Sequence, residues 1–560
     1  MWEVKPLKID SVKANFKITH IKHDDQCYAN VPVSARLPVS LADAAPIIPN
    51  PGPTPNKIGG ILKRFCRDPG LNRKFLRGLR AFTLRWCRKN MRRFNASDDV
   101  SFETWLRKAN YSETRKEQLR KIYVDQVNSM FMKKSPFFRK GTKVKSFVKD
   151  ESYPEFKYPR LINSRSDDFK VFSGPIFDAI GKRLGERPEF VKYIPVCERP
   201  KYLYERLRGG SKFFSSDYSS FEAHFSAIFM KNCEFILYTY MCEAVPELRR
   251  KMDIIKRVIS GRNDIHFKDI IMWLNATRMS GEMNTSVGNG FSNLMINSYM
   301  AELHDCGKIT ICVEGDDGLM TFERPENAPT EADFKKNGLI IKLISSDNLA
   351  DLSFCGQVFD PDDGVVVTEP FDALLNSGYT RKIYVNAGRA VKLQLLRSRA
   401  LSMLYQYNGC PIISAYAARI VFLTRNVRLR QSLFNNMEMY KRDLLREACS
   451  LHIDVVVPKP DAPCRALFHR LYGIDVPGQL EFEAAMSNLV LDSQIECSQI
   501  IPYPKQNTFM YDRYLHPRGE KVDLSKVDTS YLKYLETFSF IPWDTRMSKM
   551  CIDRGKRWCL

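Results

Sequence analysis

With 560 residues, 44% of them hydrophobic, the sequence can bury several cores and does not have the composition of a disordered chain. Lys and Arg outnumber Asp and Glu by 86 to 64, a formal charge of +22, which favours a polyanionic partner: nucleic acid first, an anionic membrane surface second. The 15 cysteines form no C-x-x-C pair, which argues against a zinc ribbon and for free thiols in a reducing compartment. No apolar run approaches the ~20 residues of a membrane span, and MWEVKPLKID lacks the apolar core of a signal peptide.

His20, His23 and Cys27 come first, without the further pair that would complete four metal ligands, and read as surface polar residues. The stretch PIIPNPGPTPN, Pro46 to Asn56, reads as a linker because proline suits neither a helix interior nor a central strand, so residues 1–60 are expected to be an appended arm. Twelve Lys and Arg then fall between Lys63 and Arg93, with Phe, Leu and Trp at helical spacing among them. Two readings stay open: a helix that binds RNA or a membrane face, or one with a buried apolar stripe and a solvated basic one.

From about Lys143 to Gln357, strand-like and helix-like segments alternate. Lys143, Lys145 and Lys149 lie in an extended run followed by Lys157, Arg160 and Arg165. Such charge suits a triphosphate, with Arg offering bidentate contacts, although a solvated basic strand would look alike. In SKFFSSDYSSFEAHF, Phe213 and Phe214 lead a strand that ends at Asp217, and Ser219 with Glu222 fits a capping box for a following helix. RMSGEMNTSVGN then predicts a flexible turn at Ser280-Gly281 and a helix from about Asn284, itself a candidate cap. On that helix Thr285 and Asn289 share a face roughly opposite Val287, Phe291 and Met295, so the polar face is expected to be free for a ligand. Asn289 can both donate to and accept from a ribose 2′-hydroxyl.

KITICVEGDDGLMTF alternates Ile309, Ile311 and Val313, turns at Glu314-Gly315-Asp316-Asp317-Gly318 and resumes at Leu319: a β-hairpin with two adjacent acids at its tip. If the Asp217 strand lies beside it, three carboxylates converge, which is costly unless a cation neutralises them, and oxygen ligands of this kind suit Mg²⁺ or Mn²⁺. Two such ions about 4 Å apart activate a hydroxyl and stabilise a leaving pyrophosphate, and hydrolytic nucleases could use the same acids. Beyond about Asp360 the pattern is mainly helical, amphipathic and basic.

Five segments in this order, PRLINSR (Pro159 to Arg165), DYSSFE (Asp217 to Glu222), RMSGEMNTSVGN (Arg278 to Asn289), EGDDG (Glu314 to Gly318) and FCGQ (Phe354 to Gln357), resemble the RNA-dependent RNA polymerases of positive-strand RNA viruses, most closely the tombusvirus-like group. The resemblance implies an α+β right hand: fingers over 61–210, a palm of antiparallel sheet flanked by helices over 211–375 with a fingers insertion near 235–272, and a mainly helical thumb and tail over 376–560. It implies that Asp217 and Asp316 bind two Mg²⁺ or Mn²⁺ ions with Asp317 assisting. Ser280, Gly281, Thr285, Asn289 and Glu222 would serve the nucleotide and its ribose, Lys149, Arg160 and Arg165 the triphosphate, and Lys342 would be a general acid. Phe354, Cys355 and Gly356 resemble the primer-grip turn. Glu222 departs from the Asp usual there, which makes Asn289 the firmer ribose sensor.

The resemblance further implies an RNA template and product duplex, ribonucleoside triphosphates, other viral replication proteins, and work in the host cytoplasm at membranes contacted peripherally. A reverse transcriptase would share the carboxylates. A non-catalytic RNA-binding replication protein is the alternative from another class, against which the three intact acids speak. The sequence carries no methyltransferase or helicase motif, such as a G-x-x-x-x-G-K-[ST] loop, so capping and unwinding are expected to be absent or supplied elsewhere.

Overall fold

The computed structural model describes residues 16–21 and 33–496, apart from 43, 45, 47, 53, 67–69, 132–142, 154–157, 269, 361–363, 436 and 451–458. Strands β1 (Phe16–Ile21) and β2 (Val39–Leu41) precede helices α1 (Thr54–Arg64) and α2 (Arg73–Asn90). Next come β3 (Lys143–Val148), β4 (Leu161–Arg165), α3 (Asp167–Gly185), β5 (Phe213–Tyr218), α4 (Ala227–Asn232), α5 (Glu234–Cys242) and α6 (Pro246–Ile259). The central part closes with β6 (Arg262–His266), β7 (Ile270–Asn275), α7 (Thr285–Leu303), β8 (Ile309–Glu314), β9 (Asp317–Phe322) and β10 (Ile341–Ser346).

A five-stranded sheet has the order β1-β7-β6-β3-β4, and a four-stranded second sheet, antiparallel throughout, has the order β10-β5-β9-β8. Alternation explains the first: Val144, Ser146 and Val148 turn inward while Lys143, Lys145 and Phe147 stay outside. Helix α7 lies between the second sheet and helices α2 and α5. It is buried from Gly288 to Ala301, so it carries apolar and small polar residues on every side. Aromatic contacts join α2 to it: Trp86 meets Phe291 at 5.7 Å, and Phe75 meets Tyr299 at 5.3 Å. Phe75, Leu76, Leu79 and Cys87 of α2 are therefore core residues, and its arginines face outward.

The described part of residues 1–60 is not an appended arm but is built into the fold. β1 pairs antiparallel with β7, and β2 pairs in parallel with Ser493–Ile495. The proline-rich stretch is not a linker either. Helix α1 begins inside it, with Pro55 in the first turn, where a missing N–H breaks no helix bond. From its first turn, the Asn56 side-chain amide donates back to the Asn50 carbonyl (2.8 Å). Gly60 passes so close to β4 that a Cβ there would stand 2.6 Å from the Pro159 carbonyl oxygen.

Residues 234–259 share one buried core with the β8–β9 hairpin, while β6 and β7 complete the sheet of β3 and β4. The expected C-terminal helices form, among them Arg389–Gln406, Ile413–Leu423 and Ala462–Tyr472, and their core also takes in Leu37, Val39 and Leu41. The expected tail beyond 496 lies outside the described residues, as do His23, Cys27 and Lys157. Among the described residues no helix is long and apolar enough to cross a membrane.

Candidate active site

The hairpin turns on two residues. Glu314 pairs with Asp317 across Gly315-Asp316, and Gly315 takes φ +62°, a backbone state that glycine adopts without strain. Strand β5 sets Ser216 against Gly318 of β9, and its other edge sets Asp217 against Lys342 of β10. One register step beyond Ser216 and Gly318, Asp217 therefore stands opposite Asp317. Directly opposed residues share a face, so Lys342, Asp217, Asp317 and Glu314 form one row across the sheet.

The acids sense one another. Burial first, then the carboxylates of Glu222 and Asp217, push Asp316 up to about 6, against the pull of Arg160. Burial, then Asp316 and Asp217, push Asp317 up to about 7. Both keep part of their surface open to solvent. Among the described residues no three His, Cys, Asp or Glu side chains already form a metal cage.

Asparagines hold the turn, a feature missed in the sequence. Asn293 Nδ2 donates toward the carbonyls of Gly315, Asp316 and Asp317 at 3.3, 3.0 and 2.9 Å. Asn297 Nδ2 donates to Asn293 Oδ1 (2.7 Å) and reaches the Tyr218 hydroxyl (3.4 Å) beside Asp217. Asn289, Asn293 and Asn297 recur every four residues on α7, and that spacing was the available signal. Asn293→Ala is expected to cost about 1 kcal/mol of stability or somewhat more, because it strips part-buried carbonyls of their donor. It should also lower turnover more than nucleotide affinity; denaturant titration and single-turnover kinetics check both.

Residues 195–409 match the family model of viral RNA-dependent RNA polymerase. No curated protein matches the chain. The matched span takes in the acid row, α7 and the FCGQ segment, and it supports a viral RNA-directed RNA polymerase, with RNA as template and nucleotides as substrates.

Around the acid row several expected residues gather. Glu222 Oε1 accepts from the Ser280 hydroxyl (2.9 Å) and lies 3.5 Å from Arg64. The expected capping box is absent. Ser220 takes a left-handed conformation, Phe221–His224 is a short 3₁₀ turn without a side-chain cap, and Glu222 reaches into the site instead. Asn284 does not cap α7 through its side chain. Gly281 is not a flexible hinge but a close approach: a Cβ there would sit 2.7 Å from the Asn163 carbonyl of β4. Thr285 donates to the Met279 carbonyl (3.1 Å) and fixes this bend.

The Asn289 face is not free. Asn289 is buried, and Arg278 Nε donates to its Oδ1 (3.1 Å). Arginine is donor-only, so the amide oxygen must face it, which turns Nδ2 the other way. Arg278 has no exposed surface; it is ion-paired with the equally buried Glu234 and stacks 4.1 Å from the Phe225 ring centre. Arg165 is likewise withdrawn from the site, paired with buried Glu282 and donating to Asn263 (2.6 Å).

Lys149 and Arg160 stay at the cleft and share one carboxylate, Glu151, at 2.7 and 3.5 Å. Burial works against the Arg160 charge, yet Glu151, Tyr153, Glu222 and Asp316 together hold its pKa above the ordinary value. Phe354 and Gln357 bridge across Cys355-Gly356, both at positive φ, in a tight turn. That turn carries Cys355 Sγ to 3.9 Å from Glu314, which also pairs with Arg199 (2.9 Å). Burial first, then Glu314 and Asp317, push the Cys355 thiol well above its usual range.

Proposed function

We propose that the chain is the replicase polymerase of a positive-strand RNA virus of the tombusvirus-like group, extending an RNA strand with ribonucleotides in a right hand of fingers, palm and thumb. The observation that carries this reading is the register that pairs Ser216 with Gly318, one step from Asp217 and Asp317, on a hairpin held by Asn293. The sheet β10-β5-β9-β8 with α7 is the palm, the β3–β4 sheet belongs to the fingers, and the C-terminal helices are the thumb. Asp217, Asp316 and Asp317 would hold two Mg²⁺ or Mn²⁺ ions. Such ions, when bound, activate the attacking 3′-hydroxyl and stabilise the departing pyrophosphate.

The remaining roles fall to the chain's own groups. Lys149 and Arg160 exchange Glu151 for the incoming triphosphate, Arg160 with its bidentate fork. Asn289, oriented by Arg278, presents Nδ2 as a donor, and Glu222 beside Ser280 is an acceptor. A ribose 2′-hydroxyl satisfies both, and a deoxyribose satisfies neither. Lys342, across from Asp217, protonates the leaving pyrophosphate. The Cys355 turn would support the primer end. Work beside host cytoplasmic membranes with other viral replication proteins follows from the family resemblance.

Primer extension on an RNA template, with ribonucleotides and deoxyribonucleotides side by side, tests the reading. The expected outcome is ribonucleotide incorporation only, and Asn289→Ala should narrow the preference by about tenfold or more. Equal use of deoxyribonucleotides would point to a reverse transcriptase, and no incorporation in Mg²⁺ or Mn²⁺ to a non-catalytic RNA-binding protein.

A further inference from the structure

On the far side of α7 from the acid row, a cleft of about 740 Å³ opens between α2 and helices α4 to α6. Six cations line it, Arg80, Arg88 and Arg93 from one side and Lys231, Lys256 and Arg257 from the other, against only Glu243 and Asp253. Those two acids are taken, by Arg93 at 3.2 Å and Lys256 at 2.9 Å. The six cations thus outnumber the two acids of the lining, and the cleft carries net positive charge.

Its chemistry narrows the ligand. The Tyr240 ring is covered by the Arg93 guanidinium, 4.6 Å from its centre, and Phe235 is buried, so no ring stands open for a base to stack on. What remains to be read is phosphate. A membrane surface fits poorly, because the apolar stripe of α2 is spent in the core and leaves nothing to enter the acyl region. The exposed arginines Arg73, Arg77, Arg80 and Arg88 recur along α2 over ~22 Å, longer than a single headgroup. That layout matches a linear polyanion.

We propose that this cleft is a second RNA-binding surface, gripping the phosphate backbone of a single strand without reading its bases and separate from the catalytic cleft. The choice of RNA rests on the polymerase reading; the cation layout does not.

The test uses the full chain and a uridine homopolymer roughly 20 nucleotides long. In the triple variant Arg80→Gln, Arg88→Gln, Lys231→Gln, affinity should fall about tenfold or more, and the slope of log affinity against log salt should shrink by ~2, from three lost phosphate contacts at ~0.7 each. Incorporation at saturating short primed template should stay within about twofold. Unchanged affinity and slope would overturn the proposal. In parallel, amine acylation of the native chain reads Lys231 and Lys256 directly, whatever the variant's folding. RNA should protect both, also in Asp316→Asn, so that the failure of catalysis and the failure of this surface are read separately. No protection by RNA, or protection only by vesicles of phosphatidylcholine and phosphatidylserine at roughly 7:3, would sink it.

Discussion

Asp316→Asn is expected to lower nucleotide incorporation by about 10³-fold or more at saturating Mg²⁺, with the fold and RNA affinity nearly intact. The exchange keeps the volume and removes the charge that faces Asp217 and Glu222. More than roughly a tenth of the original activity would refute the metal assignment. The same charge predicts a pH dependence for the metal-free chain. Asp316 and Asp317 titrate at about 6 and about 7 when folded, above the ~4 of an unfolded Asp. Between those values the folded state holds more protons, so stability falls as pH rises from about 4 to about 7 and stays lower above. Mg²⁺ should restore much of it at the upper end, and Asp316→Asn should flatten the fall; melting temperatures across the pH range, with and without Mg²⁺, check both.

Arg278→Met should be the most damaging single change to stability, costing about 3–5 kcal/mol, because it leaves the Glu234 carboxylate buried without its cation. Burial already raises the Glu234 pKa, and Arg278, ahead of the Tyr238 hydroxyl, opposes it. The double variant Arg278→Met, Glu234→Gln is expected to recover much of the loss, since the uncompensated charge goes with it. In that variant Asn289 lacks the donor that fixes its amide, so discrimination against deoxyribonucleotides should stay impaired after stability returns. Urea titrations measure the first effect and competitive incorporation the second. A double variant no more stable than the single one would show that Arg278 acts through packing rather than charge.

What the sequence disclosed and what it hid follow one physical line. The hairpin and the Asp217 strand were legible because alternation and turn chemistry are local, and the structure builds both where the pattern put them. The capping box failed because Glu222 has stronger company far along the chain, Arg64 and Ser280, and a local signal loses to such partners. Arg165 read as a phosphate ligand since its neutralising Glu282 lies 117 residues away. The proline stretch was misread for the converse reason: proline forbids a helix interior but not a helix start. The asparagine ladder was visible as a spacing, yet only the hairpin's carbonyls, more than twenty residues on, give it a purpose.

The parallel pairing of Val39–Leu41 with Ser493–Ile495 has a bearing on biosynthesis. About 450 residues separate the two segments, so at ~5–20 residues per second a ribosome needs roughly 20–90 s to deliver the second after the first. Until then the early segment emerges with bare backbone edges and apolar side chains that end fully covered, a hazard for wrong pairing or aggregation of the nascent chain. Late maturation of the C-terminal core, and a need for chaperone cover during translation, follow from that one short ladder.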